Sequence, residues 1–292
     1  MRLTGFQLMA KHFYNPIPDV DQLDDRPGFW ESRKATPGID FRIEEQLELL
    51  KKIQPFRNEL SSVPTDKPSH DSKGSSFYFS NDAFSGFDAE IYYCFIRHFQ
   101  PKRVVEIGSG WSTRIAGMAC LANHAAGTTT RLTSIEPYPN PGLKSGFPGL
   151  DRLIQSKLED VPMEVFTELE YGDILFIDST HVTKTGGDVL KIYLEILPLL
   201  RPGVLVHAHD IFLPYEYPRE WIVGREWYWT EQYLLQAFLA FNSHYEVLLA
   251  AHLLHREHAD GLKDFSPLYD EANRPASFWC RSITAVDKSK LG

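Results

Sequence analysis

Four residues in the second half of the chain have types and spacing that could do chemistry together. Asp178 is followed three positions later by His181, and His209 is followed directly by Asp210. Both sets close short apolar runs, DILFID and GVLVHAHD. Each run reads as a strand buried on both faces, and neighbouring strands would gather the four polar ends at one edge of a sheet. Carboxylates beside imidazoles can move protons, since an unperturbed histidine titrates at about 6.5. The same groups can instead anchor loops and serve as hydrogen-bonding scaffold. His207 alternates onto the face of His209 but lies deeper, and reads as a core histidine. A second group lies upstream, where Glu106-Ile-Gly108-Ser109-Gly110 closes one apolar run and Glu136 closes the next. Paired glycines permit a tight turn and close backbone approach to a ligand. A carboxylate ending the adjacent strand can accept both hydroxyls of a ribose. This is not the dinucleotide fingerprint, because the third glycine of G-x-G-x-x-G would fall on Thr113.

Such positions need a parallel sheet to hold them. A helix over Asp88–Phe99 precedes the strand Arg103–Ile107, the turn Gly108–Trp111 and a helix from Ser112 or Thr113 to about Leu121. The strand Leu132–Glu136, a Pro/Gly-rich loop through Gly149 and a weaker strand near Leu153–Ser156 follow. Next come the run Asp173–Asp178, a helix capped by Asp188, and the strand Val204–Ala208 behind Pro202-Gly203. A helix over Thr230–Phe241 and the strands Tyr245–Ala250 and Ser277–Ile283 complete the pattern. This alternation predicts an α/β fold: a Rossmann-like doubly wound sheet, mostly parallel, with helices on both sides. The last two strands lack a full helical layer between them and predict an antiparallel strand at the sheet edge. Residues 1–75 read as an N-terminal extension, a lid or dimer arm, ahead of a core domain over 76–292. Its helix carries Ile43, Leu47, Leu50 and Ile53 behind Asp40 as N-cap, and the polar stretch 61–76 reads as a linker.

Composition narrows the function classes. Thirty Lys+Arg against thirty-nine Asp+Glu give a net charge of −9 over 292 residues, which argues against a nucleic-acid surface. The most apolar stretch, Tyr233–Leu254, is interrupted by Gln236, Asn242, His244 and Glu246, so no membrane span is expected. The N-terminus lacks the pattern of an export signal, and Cys94, Cys120 and Cys280 stand far apart. Together these predict a cytoplasmic protein with reduced thiols.

The E-x-G-x-G turn after a first strand, with an acid ending the second, resembles class I S-adenosylmethionine-dependent methyltransferases. YGDILFIDSTHVTKTGGDV, EILPLLRPGVLVHAHDIFLPYEYP, HFYNPIPD, RVVEIGSGWST and SFWCRSI together are similar to a bacterial branch of these enzymes. The resemblance covers nearly the whole chain. It implies S-adenosylmethionine as cofactor, with Glu106, Gly108, Ser109, Gly110, Glu136 and Asp178 around it. Asp160 matches an adenine-contacting acid, with Glu159 equally placed. The second half is similar to metal-dependent O-methyltransferases of the catechol type and of macrolide sugars. In those enzymes an acid ending strand four and two consecutive ligands ending strand five hold magnesium, and a base sits three residues after the first acid. By position the resemblance makes Asp178, His209 and Asp210 the metal ligands and His181 the base. A hydroxyl attacks poorly at neutral pH; a divalent cation lowers its pKa and an imidazole takes the proton. His209 departs from the family's carboxylate, and imidazole suits manganese, iron or zinc better than magnesium, so either the metal differs or the site holds none.

The expected function is methyl transfer to a hydroxyl of a small molecule, a sugar or secondary metabolite. A metal-independent N- or C-methyltransferase is the alternative. A nicotinamide oxidoreductase lacks support from the missing third glycine and from the absence of a Tyr-x-x-x-Lys pair. A non-catalytic cofactor-binding protein would not need acids at the strand ends. The aromatic run 214–229, directly after Asp210, reads either as a rim over the acceptor or as a homo-oligomer interface, and Trp111 as a cofactor shield or a packing residue.

Overall fold

The computed structural model describes residues 10–69 and 76–284. Seven strands form one sheet: β1 Arg103–Ile107, β2 Arg131–Ile135, β3 Arg152–Ile154, β4 Ile174–Ile177, β5 Leu205–Ala208, β6 Tyr245–Ala250 and β7 Phe278–Ser282. Their spatial order is β3-β2-β1-β4-β5-β7-β6. The first five are parallel, and β7 runs antiparallel between β5 and β6, so the edge strand β6 is held by antiparallel pairing. The sheet is the Rossmann-like, mostly parallel one that the strand–helix alternation predicts.

The strands are apolar on both faces because two layers cover them. The short helix α1 (Val20–Asp24) comes first in the chain. Val104, Ile174, Phe176 and Leu205 pack in one layer with α2 (Ile43–Arg57), α3 (Gly86–Phe99) and α4 (Trp111–Ala125). Val105, Ile107, Leu175, Ile177 and Val206 pack in the other, beneath the helical stretch 188–199 and the helix Glu231–Leu239.

Strand register positions the polar ends. Ile107 pairs with Ile177, and Ile177 with Ala208. Gly108, Asp178 and His209 therefore leave three adjacent strands at the same level. The ladder runs one step further: the Asp178 N–H donates to the Ile107 carbonyl and the His209 N–H to the Ile177 carbonyl, each at 2.9 Å. The strand order reverses at β1, which has β2 on one side and β4 on the other. In open α/β sheets the crevice at such a point, beyond the carboxyl ends, receives the ligand.

Residues 10–69 are bound into this body. Leu50 and Ile53 of α2 are 2% and 0% exposed and belong to the layer containing α3. Burying two such side chains contributes roughly 1.5–3 kcal/mol each. Gln46 accepts the Ala250 N–H at 2.8 Å, tying α2 to the end of β6, and Arg57 donates to the buried Glu90 of α3 at 2.9 Å. Asp40 does not cap α2. Arg42 occupies that position with φ 52°, and Asp40 accepts its N–H at 2.9 Å, because the chain enters the helix through a left-handed turn. Ahead of α2, the chain braces the segment after β5: the Lys34 N–H donates to the Pro214 carbonyl at 2.7 Å, and Arg219 forks onto Asp24. Of the expected linker, 70–75 lie outside the described residues. Among the described residues no helix is long and apolar enough to cross a membrane, and the three cysteines are free and buried.

Candidate active site

The two glycines of the turn have different reasons for being glycine. Gly108 takes φ +89°, and a Cβ there would lie 2.1 Å from the Asp178 carbonyl oxygen. Its missing side chain lets the turn after β1 close against the end of β4. Around Gly110 a Cβ would meet nothing within 4 Å, so the turn opens onto free space at the start of α4. Beside that space, Ser109 Oγ donates to Glu136 Oε2 at 3.4 Å, while Glu136 Oε1 accepts the Tyr138 N–H at 2.8 Å. Glu106 is different in kind. It is 0% exposed, facing the layer beneath the turn, and it accepts a hydrogen bond from the Tyr92 hydroxyl at 3.2 Å. Burial lifts its carboxyl to about 8, and Oε2 has no hydrogen-bond partner among the described residues. Asp160 and Glu159 are exposed in the turn Leu158–Asp160 beyond β3. Trp111 donates to Asp82 at 3.3 Å and meets Tyr78 edge-on at 4.7 Å, a packing arrangement.

Past β4 and β5 the acids and imidazoles do converge. His181 is 4% exposed. Its Nε2 lies 3.1 Å from Asp178 Oδ1 and 3.6 Å from Asp210 Oδ2, and its Nδ1 lies 2.8 Å from Glu231 Oε2. Glu231 is 0% exposed and also accepts from the Tyr193 hydroxyl at 2.9 Å and from Ser179 Oγ at 3.2 Å. A buried carboxylate thus takes one ring nitrogen and leaves the other facing the two acids. Trp229 packs against the same ring, with centroids 4.3 Å apart. His181 and Asp210 hold left-handed backbone, φ 58° and 57°. For side-chain-bearing residues this costs about 1–3 kcal/mol each and persists where the surroundings enforce it. Asp188 helps enforce it. Its carboxylate accepts the Thr180 N–H at 2.9 Å and the Thr180 hydroxyl at 2.7 Å, whereas Gly187, not Asp188, is the N-cap of the following helix.

The charges of the cluster act on one another. Burial opposes a charged imidazole at His181, yet its hydrogen bonds to Asp178 and Glu231 prevail and hold its pKa well above the ordinary value. Burial pushes Asp178 up, but the hydrogen bond from His181 and the charge of His209 hold it below the usual carboxylate value. At Asp210 burial prevails, and its pKa is raised.

Asp178, His181 and Asp210 can each offer one ligand atom, all within 4.8 Å of one another. His209 stands outside that group. Its Nε2 is 3.6 Å from Asp210 Oδ1, its ring leans on Phe84 at 4.9 Å, and its buried Nδ1 has no hydrogen-bond partner among the described residues. His207 is fully buried, bonded through Nε2 to Ser277 Oγ at 3.0 Å and stacked on Phe176. It is a core histidine.

The aromatic run after β5 reaches the cluster. Trp227 and Trp229 stack at 4.9 Å, and Trp221 meets Trp229 edge-on at 5.0 Å. Two functional contacts were missed at the level of sequence, Glu231 on His181 and Asp188 on Thr180. A signal for the first existed: Glu231 heads the stripe Leu234, Leu235 and Phe238, where an acid at an apolar position calls for a buried partner. Asp188 gave no comparable signal, because an acid at a helix start reads as a cap.

A family model described as a methyltransferase domain matches residues 105–211, the span from β1 to just past Asp210. An uncharacterized protein of Archaeoglobus fulgidus is 34% identical over 164 residues, covering 54% of this chain and 72% of that protein. Among solved structures, the apo form of CmcI-N160 is 13% identical over 77% of this chain and 88% of that chain, with a TM-score of 0.39. The CMeT domain of the citrinin polyketide synthase is 10% identical over 68% of this chain and 54% of that chain, with a TM-score of 0.38.

Proposed function

Because the chain belongs to the class I S-adenosylmethionine-dependent methyltransferases, we propose that it methylates a hydroxyl of a small molecule, with His181 as proton acceptor and a divalent cation at Asp178 and Asp210. The observation that carries this reading is the His181 ring, pinned at Nδ1 by the buried Glu231 and facing both acids through Nε2.

In this reading the open turn at Gly110 takes the donor's amino-acid end, and Glu136 beside it receives the ribose diol. A sulfonium methyl is already a strong electrophile, so the protein's main tasks are alignment and preparation of the nucleophile. The acceptor oxygen attacks the methyl carbon, the electrons of the carbon–sulfur bond stay on sulfur, and the hydroxyl proton passes to His181 Nε2. His181 must be neutral to take it, which requires the negative charge around it to be offset. Asp178 and Asp210 would hold the cation, and the imidazole of His209 beside Asp210 suits manganese or iron better than magnesium. Bound there, the cation would supply that offset and lower the hydroxyl's pKa.

Chelation followed by add-back, read with a labelled methyl donor over a panel of hydroxylated acceptors, tests the reading. Turnover should fall with chelation and return with manganese at least as fully as with magnesium. Turnover indifferent to chelation would favour a metal-free nitrogen or carbon acceptor. His181→Ala should keep manganese binding while slowing methyl transfer by about 10²–10⁴-fold. Loss of manganese binding in that variant would make His181 a ligand instead of the base.

A further inference from the structure

A cavity of about 190 Å³ adjoins the cluster, lined by His209, Asp210, Trp221, Tyr269, Asn273 and Arg274 among others. A second, of about 270 Å³, lies next to it, lined by Tyr215, His252, Arg256 and again Arg274. Ordinary ligand pockets hold roughly 300–1,000 Å³. The inner cavity alone falls short of that range, and Arg274 lines both cavities. A ligand reaching from one cavity to the other would meet Arg274.

Arg274 is set apart from the cations near it. Arg256 is taken up by Glu31, to which it donates at 3.1 Å, and Arg219 by Asp24. Arg274 has no hydrogen-bond or ion-pair partner among the described residues. The acids nearby are occupied in fixing the loop that carries it. Asp270 accepts the Ala272 N–H at 2.9 Å, and Asp88 accepts the Ala276 N–H at 3.0 Å and the Ser277 N–H at 3.0 Å. His209 and His252 also line the cavities, and the buried Nδ1 of each has no hydrogen-bond partner among the described residues. Buried polar atoms without partners are rare and point to a ligand or water that completes them.

We propose that the acceptor is anionic, with a hydroxyl-bearing ring in the inner cavity against Asp210 and a carboxylate or phosphate held by Arg274. This rests on the methyltransferase reading and adds the acceptor's chemical class. A guanidinium offers several donors in a planar fork that matches both anions. Recognition at the far end would also set which hydroxyl reaches His181.

The test is calorimetric titration in EDTA, so that no cation draws the anion elsewhere, with S-adenosylhomocysteine present. Glucose 6-phosphate, glucuronate and glucose serve as probes. At least one anion should bind, with glucose at least about tenfold weaker, and Arg274→Met should weaken the anion about ten- to a hundred-fold. Arg274→Lys should retain part of the affinity. Which of the two anions binds distinguishes phosphate from carboxylate. Equal anion binding by wild type and Arg274→Met, glucose binding as tightly as the anions, or no binding of either anion would overturn the proposal. Failure of S-adenosylmethionine to bind either protein would strike the methyltransferase reading instead. Donor affinity should be the same in both, since Arg274 lies on the acceptor side.

Discussion

His181 is held on three sides, by Glu231 at Nδ1, by Asp178 at Nε2 and by the Trp229 ring, so little is left to chance in where its free edge points. An orienting carboxylate behind an imidazole fixes both rotamer and tautomer. Glu231→Gln replaces that acceptor with an amide that can donate to Nδ1 and reverse the tautomer. Single-turnover methyl transfer should fall by at least about 10²-fold, with donor affinity unchanged. Nitrogen NMR at a pH where the imidazole is neutral should show the tautomer reversed; an unaltered rate and tautomer would mean that Asp178 alone orients the ring. The glycine turn allows an equally local contrast. Gly108→Ala forces a Cβ onto the Asp178 carbonyl at positive φ, so it should lower the melting temperature markedly. Gly110→Val places its side chain in open space, so it should fold normally and lose S-adenosylmethionine affinity. Titrating both variants alongside thermal melts would show whether the two defects separate in this way.

Between elements, the contact of β1 with α3 carries a titratable group. Glu106 lies against Tyr92 of α3, and its carboxyl is shifted from an ordinary value of 4.5 to about 8, chiefly by burial. Between those values the folded chain binds a proton that the unfolded chain has released. Its stability contribution is therefore full at low pH and falls as pH rises, levelling off above about 8. Urea midpoints from about pH 5 to about pH 9 should show that decline, and Glu106→Gln should flatten it. An identical slope in the variant would place the proton elsewhere. The contact of α2 with α3 offers a simpler measure. Ile53 is fully buried there, and Ile53→Ala should cost about 2–5 kcal/mol in the same assay. A cost near zero would mean that α2 is only loosely attached.

For the whole molecule, the N-terminal residues are structural neighbours of both the core and the site. A chain starting at Ser76 would lose Ile53 and Leu60 from the α3 layer and the Arg57 partner of the buried Glu90. We expect it to unfold at much lower temperature, beyond any effect on ligand closure. The strap ahead of α2 has a more specific role, since Asp24 and Lys34 hold the segment that leads to the tryptophans. Asp24→Ala should leave the melting temperature within a few degrees and weaken acceptor binding more than donor binding. Equal loss of both would show that the strap supports the sheet and not the rim.

The strand runs, the glycine turn and the acids at the strand ends were legible because each is a local pattern. Apolar stretches such as DILFID read directly as strands buried on both sides, and polar residues that follow such runs must emerge at the sheet's edge. What pairs with what is not local. The gathering of Gly108, Asp178 and His209 depends on the register of Ile107 with Ile177 and Ala208, which turn lengths and packing decide together. The same holds for Glu231, fifty residues from His181. Asp40 and Asp188 show the limit in the other direction, as acids before helices that read as caps and turned out to hold a turn and the loop just ahead of the helix. Side-chain type and strand order can be inferred along the chain. The second partner of a buried polar group is chosen only when the layers close over it, because desolvation then makes any unmatched atom costly.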